Sequence, residues 1–504
     1  MKKEAGKEKI MVYSLEEKVQ NFAICSRVGI ILLQFLSNLI IPDHDANVFQ
    51  KPLNLSYTKT RIDKITELLF KGLTHWDAQY FLHISEYGYT YENTIAFFPL
   101  FPVIIRQLSN LTLSMLNYIS FYFHLNNLMS MHSLLIIVSV LFNNLLFIYT
   151  SKILFNLSLV VLKSQKLAFI SSILFSINPA SIFFSAVYSE SLYCFLIFYG
   201  LLQINKNNNV LSCLIMGMTG ATRSNGLINL GFVIYQYIKM RFKTKTLLMF
   251  SLVFSMGVFL TIIPFVIYQM YCYVKFCHPH RENLPLFIRQ YGVSNEYVFP
   301  ANRSTWCNDS YPIAYSYVQN RYWNVGFLNY YELKQLPNFL LAFPMIYIVG
   351  RGTYDFVKNY KFSLIFLGIV DKELEGELPL RIFPYVAHVA FLTIFGILMV
   401  HVQVITRLLA SSSPLPYWYS AIALSKTIKV PAERETVLDK LNKKREKSRD
   451  SCFYECDKTK NSYWKNFLFT VENSFEKYPL FIKWYFIIYF FIGTVMFSNR
   501  LPWT

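Results

Sequence analysis

Charge is scarce in this chain. Only 15% of its 504 residues are Asp, Glu, Lys or Arg, where a soluble protein carries about a quarter. The apolar residues, 54% of the total, follow no amphipathic period and come in blocks. Those blocks are long enough to cross a ~30 Å hydrocarbon core, for which roughly 20 helical residues suffice. A soluble globular protein is thereby excluded. Acidic residues are the scarcer sign: 30 Asp and Glu against 48 Lys and Arg, a net +18. The basic residues sit mainly in hydrophilic loops, as the positive-inside bias predicts for cytosolic segments. The excess therefore points to topology, and no nucleic-acid partner is expected.

Other absences narrow the class further. There is no internal repeat, which a transporter with midplane charges would more naturally show, and no low-complexity tract. The first span, Phe22–Ile41, runs into Ile41-Pro42-Asp43-His44 without a small-residue cleavage site, so it reads as a retained signal anchor with a cytosolic tail, residues 1–21. Cysteines are few and scattered. Cys25, Cys194, Cys213 and Cys272 lie in or beside spans, where a buried thiol is an ordinary small hydrophobe. Cys452 and Cys456 lack the second pair a zinc site needs. Cys277 and Cys307 share one polar loop, and a disulfide is open to them if that loop is luminal.

What is present is an all-α polytopic membrane chain. A polar segment, about 42–95, follows the first span. Apolar blocks then run near 96–106, 111–128, 133–161, 166–188, 190–204, 210–237 and 246–275. A second polar loop covers about 277–335, and further spans follow near 336–350, 362–370 and 385–409. The multi-spanning membrane domain is thus 22–410. A hydrophilic loop, 411–479, precedes a last span and tail, 480–504. The sequons at Asn54, Asn302 and Asn308 fall in the two polar loops, which can then face one lumen, while Asn156 lies near a span and reads as a chance match.

The chemistry concentrates in the first polar loop, at His75-Trp76-Asp77-Ala78-Gln79-Tyr80-Phe81-Leu82-His83-Ile84-Ser85-Glu86-Tyr87. Ionisable groups at a membrane edge cost free energy and call for a function. Asp77 sits beside Trp76, an amphipathic ring suited to the interface or to a sugar face. A carboxylate next to an aromatic platform suits sugar transfer, which needs a base for the acceptor hydroxyl. If 76–87 is helical, Trp76, Tyr80, His83 and Tyr87 form one stripe. A metal site built from His75, Asp77, His83 and Glu86 is the rival reading, but His83-x-x-Glu86 is not the His-Glu-x-x-His pattern. Arg223, in Arg223-Ser224-Asn225-Gly226, interrupts an apolar block and reads as an anion site or a helix-end marker. Glu190 faces the same cavity or caps a helix. His401 and Arg407 end a span and can reach a phosphate at the membrane surface, although a snorkelling Arg explains Arg407 equally well.

These residues closely resemble the PIG-V family of GPI mannosyltransferases, in the multi-spanning GT-C superfamily. His75-Trp76-Asp77, Tyr87-Gly88-Tyr89-x-Tyr91-Glu92 and Ala96-Phe97-Phe98-Pro99-x-Phe101-Pro102 carry the likeness. It continues through Ile41-Pro42-Asp43-His44, Tyr188-Ser189-Glu190, Arg223-Ser224-Asn225-Gly226, Tyr322-Trp323-Asn324, His401-Val402-Gln403-Val404 and Leu501-Pro502-Trp503-Thr504. The acidic stretch Asp371–Glu377 and the basic stretch Lys440–Arg449 fall outside any recognised motif.

The resemblance implies a GT-C-like helical bundle with luminal loops in the endoplasmic reticulum membrane. It implies transfer of the second mannose, in α-1,6 linkage, from dolichyl phosphate mannose to a GPI-precursor acceptor, by a single inverting displacement. Asp77 corresponds to the luminal acid of the first loop, as base or hydroxyl orienter, with His75 and Trp76 shaping the site. Arg223, then Arg407 or His401, are candidates for the donor phosphate, and Glu190 and Asn225 join the substrate-binding set. No metal or other cofactor is expected, and the likeness leaves room for a small membrane partner subunit. Composition alone does not separate this from another dolichol-linked mannosyl transfer, or from a non-catalytic transporter or scaffold.

Overall fold

The computed structural model describes residues 2–503 apart from 47, 53, 55, 56, 123–127, 242–246, 279–282, 362, 363, 365, 366, 370–377 and 426–476. Lys440–Arg449, Asp371–Glu377, Cys452 and Cys456 therefore lie outside the described residues, as does most of the segment read as a hydrophilic loop. Among the described residues the fold is all helix. Six helices are long and apolar enough to cross a membrane: α1 (Lys2–Ile40), α5 (Met131–Leu162), α10 (Leu247–Cys277), α13 (Leu336–Asn359), α14 (Phe383–Met399) and α17 (Lys477–Ser498).

Shorter helices fill the space between them. α6 (Gln165–Ser176) and α7 (Glu190–Asn205) lie in the bundle interior, with α15 (Ile405–Ser412) and α16 (Leu415–Ser425) beside them, while α8 (Asn209–Thr222) and α9 (Leu230–Arg241) bury one face and expose the other. α2 (Arg61–Phe70), α3 (Ala78–Tyr87), α4 (Leu100–Tyr122), α11 (Leu286–Ser294) and α12 (Ala314–Trp323) belong to the two polar segments or border them.

Close helix contact here depends on small residues, because lipid tails are as apolar as leucine and helices associate mainly through packing. Pro264 inside α10 leaves the Leu260 carbonyl without its helical donor. Gly217 of α8 covers that carbonyl, and a Cβ there would sit 2.4 Å from Leu260 O. Arg27 of α1 is buried in the bundle and shows how a charge is tolerated there. It donates to Ser181 O at 2.9 Å and to Ser185 Oγ at 3.0 Å, and lies over the Phe147 ring.

The structure redraws three boundaries. The block 210–237 is broken at Arg223, and 385–409 is broken after Met399 by a turn at Val402–Val404. The hydrophilic segment does not begin at Ser411. Ser411, Ser412 and Ser413 are fully buried, and α16 packs in the core with the Trp418 indole donating to Ser158 Oγ at 2.7 Å. Serine hydroxyls satisfied by the preceding turn, as Ser411 is by Arg407 O, make such a stretch polar by composition and buried by packing.

The two polar segments form one cap at one end of the bundle. Glu92, fully buried, accepts from Trp306 Nε1 at 3.1 Å, Tyr322 OH at 2.8 Å and Arg321 Nη1 at 3.3 Å. Cys277 and Cys307 are disulfide-bonded, which ties α10 to the turn that carries Trp306. Exposed Asn302 and Asn308 lie in this cap. Asn156 is at the other end of α5, where it donates to Glu16.

Candidate active site

The approach to Asp77 is a strained turn. Trp76 has φ 58°, the left-handed region that bulky residues avoid, at a cost of about 1–3 kcal/mol. The surroundings hold it there. Val187 N–H donates to Leu73 O at 3.1 Å, and Gln79 Nε2 donates to Thr74 O at 2.6 Å. The Tyr188 hydroxyl accepts the Asp77 N–H at 3.0 Å and reaches His75 O at 3.5 Å. α3 starts at Ala78, so Trp76 is not part of the expected helical stripe. Asp77 stands at the helix entrance, yet its side chain makes no capping bond. Its carboxylate is left for other partners.

That partner is Arg407. Its Nη1 donates to Asp77 Oδ2 at 3.0 Å and lies 3.7 Å from Glu190 Oε1. Arg223 Nη1 donates to the same Glu190 oxygen. Glu190 is fully buried in the first turn of α7, while the Asp77 side chain keeps 30% of its surface open. Two acids and two arginines therefore close into one chain of charge: Asp77, Arg407, Glu190, Arg223. Burial works against the Arg407 charge, but Asp77 and Glu190 outweigh it and hold the guanidinium firmly protonated. The cluster is not saturated. Glu190 Oε2, Arg407 Nε and Trp76 Nε1 are buried and find no partner among the described residues.

Local sequence explains how Arg223 gets there. After α8 the chain folds back so tightly that a Cβ on Gly226 would lie 2.3 Å from the Thr219 carbonyl. Only glycine permits that return, and it turns Arg223 out of helical geometry toward Glu190. Asn225 does not join the charges. Its Nδ2 donates to Tyr193 OH and Ser412 Oγ, both at 3.0 Å, bracing the Arg223 turn against α7 and α15.

His401 also lies apart from the cluster. Its Nε2 faces Trp323 O at 2.8 Å and its ring stacks on Tyr330. Burial pushes its pKa down. Trp323 in turn packs on Tyr80 and Phe97, so His401 reaches α3 only through an aromatic layer. The four residues weighed as metal ligands part ways: His75 faces Asp43, Asp77 pairs with Arg407, His83 meets Thr90 Oγ1, and Glu86 pairs with Lys51. Among the described residues no group of three or more His, Cys, Asp or Glu side chains is arranged to hold a metal.

Three partners were not singled out from sequence. Tyr188 was visible only within the Tyr188-Ser189-Glu190 likeness. Asp43, in Ile41-Pro42-Asp43-His44, and Arg500, beside Leu501-Pro502-Trp503-Thr504, meet at His75. No spacing rule links residues so far apart.

A multi-spanning helical chain that presents an acid and paired arginines at the edge of its bundle has the build of a membrane glycosyltransferase. The sequence profile of the mannosyltransferase (PIG-V) family matches residues 16–504, and the chain belongs to that family. It is 35% identical to GPI alpha-1,6-mannosyltransferase 2 of Homo sapiens, over 97% of this chain and 98% of the relative. It is 34% identical to the protein of that name from Cricetulus griseus, over 97% and 99%. It is also 34% identical to GPI mannosyltransferase 2 of Drosophila melanogaster, over 82% and 92%.

Proposed function

We propose that this chain adds the second mannose to a GPI precursor, in α-1,6 linkage, using dolichyl phosphate mannose on the luminal side of the endoplasmic reticulum membrane. The names of its relatives support the linkage and the GPI acceptor. The observation that carries the mechanism is the Asp77–Arg407–Glu190–Arg223 cluster. The luminal side is supported by a disulfide in the same cap, since such bonds persist in oxidising compartments.

The donor is β-linked and the product α-linked, so one displacement inverts the anomeric carbon. The acceptor hydroxyl oxygen bonds to that carbon as the bond to the phosphate oxygen breaks. Asp77 takes the hydroxyl proton, the role its part-open carboxylate can fill. The departing dolichyl phosphate gains one negative charge, met by guanidinium groups already at the site. Arg407 is the first of these. It is shared between Asp77 and Glu190 in the resting site, so an incoming phosphate competes with Asp77 for it and frees the carboxylate as the donor binds. Arg223, with 17% of its side chain open, is the second cation. Glu190 holds both arginines side by side and touches no substrate.

The test is transfer in vitro from dolichyl phosphate mannose to a one-mannose GPI lipid. Asp77→Asn keeps the shape and loses the base, and kcat is expected to fall about 10²–10⁴-fold with protein yield unchanged. Full activity in Asp77→Asn would remove its role.

A further inference from the structure

Two sequence motifs from opposite ends of the chain meet on one buried imidazole. His75 is 1% exposed and immediately precedes the strained Trp76–Asp77 step. Arg500 Nε lies 3.3 Å from Nδ1. Asp43, whose Oδ2 is 4.0 Å from the same Arg500 Nε, brings Oδ1 to 3.4 Å from Nε2, an ion-pair distance at which Nε2 makes no hydrogen bond among the described residues. Asp43 is fixed in turn: Lys71 Nζ approaches Oδ2 at 2.8 Å, and Asn38 Nδ2 donates to Oδ1 at 2.8 Å. The backbone joins the same two segments. His44 N–H donates to Asn499 O at 2.9 Å, and Asn38 Nδ2 also donates to Ser498 O at 2.8 Å. Arg500 adopts φ 55°, a left-handed conformation. Non-glycine residues persist there only when their surroundings over-determine them.

The arrangement selects one state of the ring. A guanidinium Nε always carries its proton, so Nδ1 must be the acceptor, and the single proton of a neutral His75 sits on Nε2, facing the Asp43 carboxylate. The charged and titratable groups around this imidazole are Asp43 from the segment after α1, Lys71 from the turn after α2, Arg500 from the segment after α17, and the Tyr188 hydroxyl at the His75 carbonyl. Burial pushes the His75 pKa down. Asp43 opposes this, while Arg500 and Lys71 add to it. For Asp43, burial disfavours ionisation, but His75 and Lys71 outweigh it and hold the carboxyl well below its usual range.

We propose that Arg500 is a positioning residue for the transfer reaction: with Asp43 it locks the His75 ring in one tautomer and orientation, and so sets where the next two residues place the Asp77 carboxylate. The proposal rests on Asp77 acting at the acceptor hydroxyl. The pairing is also directional. Lysine in place of Arg500 keeps the charge but brings a flexible ammonium in place of the fixed Nε donor.

The experiment measures mannosyl transfer by the full chain, purified in detergent micelles, across pH 5.5–8.5. Wild type, Asp77→Asn, Arg500→Ala and Arg500→Lys are compared per mole of folded protein. Wild-type transfer and its loss in Asp77→Asn establish the underlying reading, and failure at that step overturns that reading. For Arg500→Ala, kcat should fall about 10- to 100-fold, the scale of a small misplacement of a reacting group, with KM for the donor little changed. A new acidic limb should also appear. Without Arg500, Nδ1 is free to accept a second proton beside Asp43, so activity drops toward the acidic end of the range. Wild type, whose Nδ1 is held as an acceptor by Arg500, is expected to lack that limb. Arg500→Lys, which keeps the charge but not the fixed Nε donor, should show a weaker limb with a smaller loss, and it carries the test if the alanine variant does not fold. Adding His75→Gln, which keeps a donor toward Asp43 but does not titrate, should abolish the limb. An Arg500 variant with the wild-type kcat, or one that loses kcat with an unchanged pH profile, would overturn the proposal.

Discussion

Two carboxylates in this molecule, Glu92 and Glu190, are equally buried and do opposite things. Glu92 is saturated. Both of its oxygens accept donors, from Trp306, Tyr322 and Arg321, and it binds the two polar segments into one cap. Glu190 holds two arginines through one oxygen and leaves the other without a partner among the described residues. Burying a carboxylate costs several kcal/mol unless its lone pairs are filled. A filled one is a rivet, and an unfilled one that holds two arginines leaves a charge cluster unsaturated. Counting donors therefore separates architecture from chemistry where burial alone does not.

That contrast can be broken by substitution. The largest effect is expected at Glu190→Gln, which keeps the shape but no longer holds Arg407 and Arg223 as a pair. Transfer should fall about 10²–10³-fold, the scale for a lost charge-stabilising group, while the thermal midpoint moves little. Removing the clamp on the Glu92 side should do the reverse. Cys277→Ser opens a disulfide spanning 30 residues and should cost about 3 kcal/mol of stability, read as a lower melting temperature, with kcat per folded molecule near wild type. Glu92→Gln should be the mildest, about 1–2 kcal/mol, because the amide still accepts from two of the three donors. A Glu92→Gln protein that is stable but inactive would erase the distinction.

Much of the bundle was legible in composition. The blocks at 22–41, 133–161, 246–275 and the last span within 480–504 correspond to α1, α5, α10 and α17, since crossing length and apolar content are local properties. The breaks were not legible. Hydropathy scores side chains, whereas the turn at Arg223 is set by how closely Gly226 meets Thr219, and Ser411–Ser425 are buried by neighbours that composition does not contain. The site divides the same way. Asp77 was visible as a charge at a membrane edge beside an aromatic ring. Which arginine Asp77 meets was not, because Arg407 stands 330 residues from Asp77 and reaches it only in the folded bundle.

The sequence alone determined that this is a multi-spanning chain with a cluster of ionisable residues in its first polar loop. Both follow from the free energy of putting apolar blocks or charges in lipid, which each segment settles for itself. Tertiary structure decided everything that depends on pairing: which arginine meets Asp77, that Glu190 serves two cations, and that Asp43 and Arg500 close on His75 across 425 residues. Pairing of charge requires approach within a few ångströms, and between distant segments only the packed fold provides it.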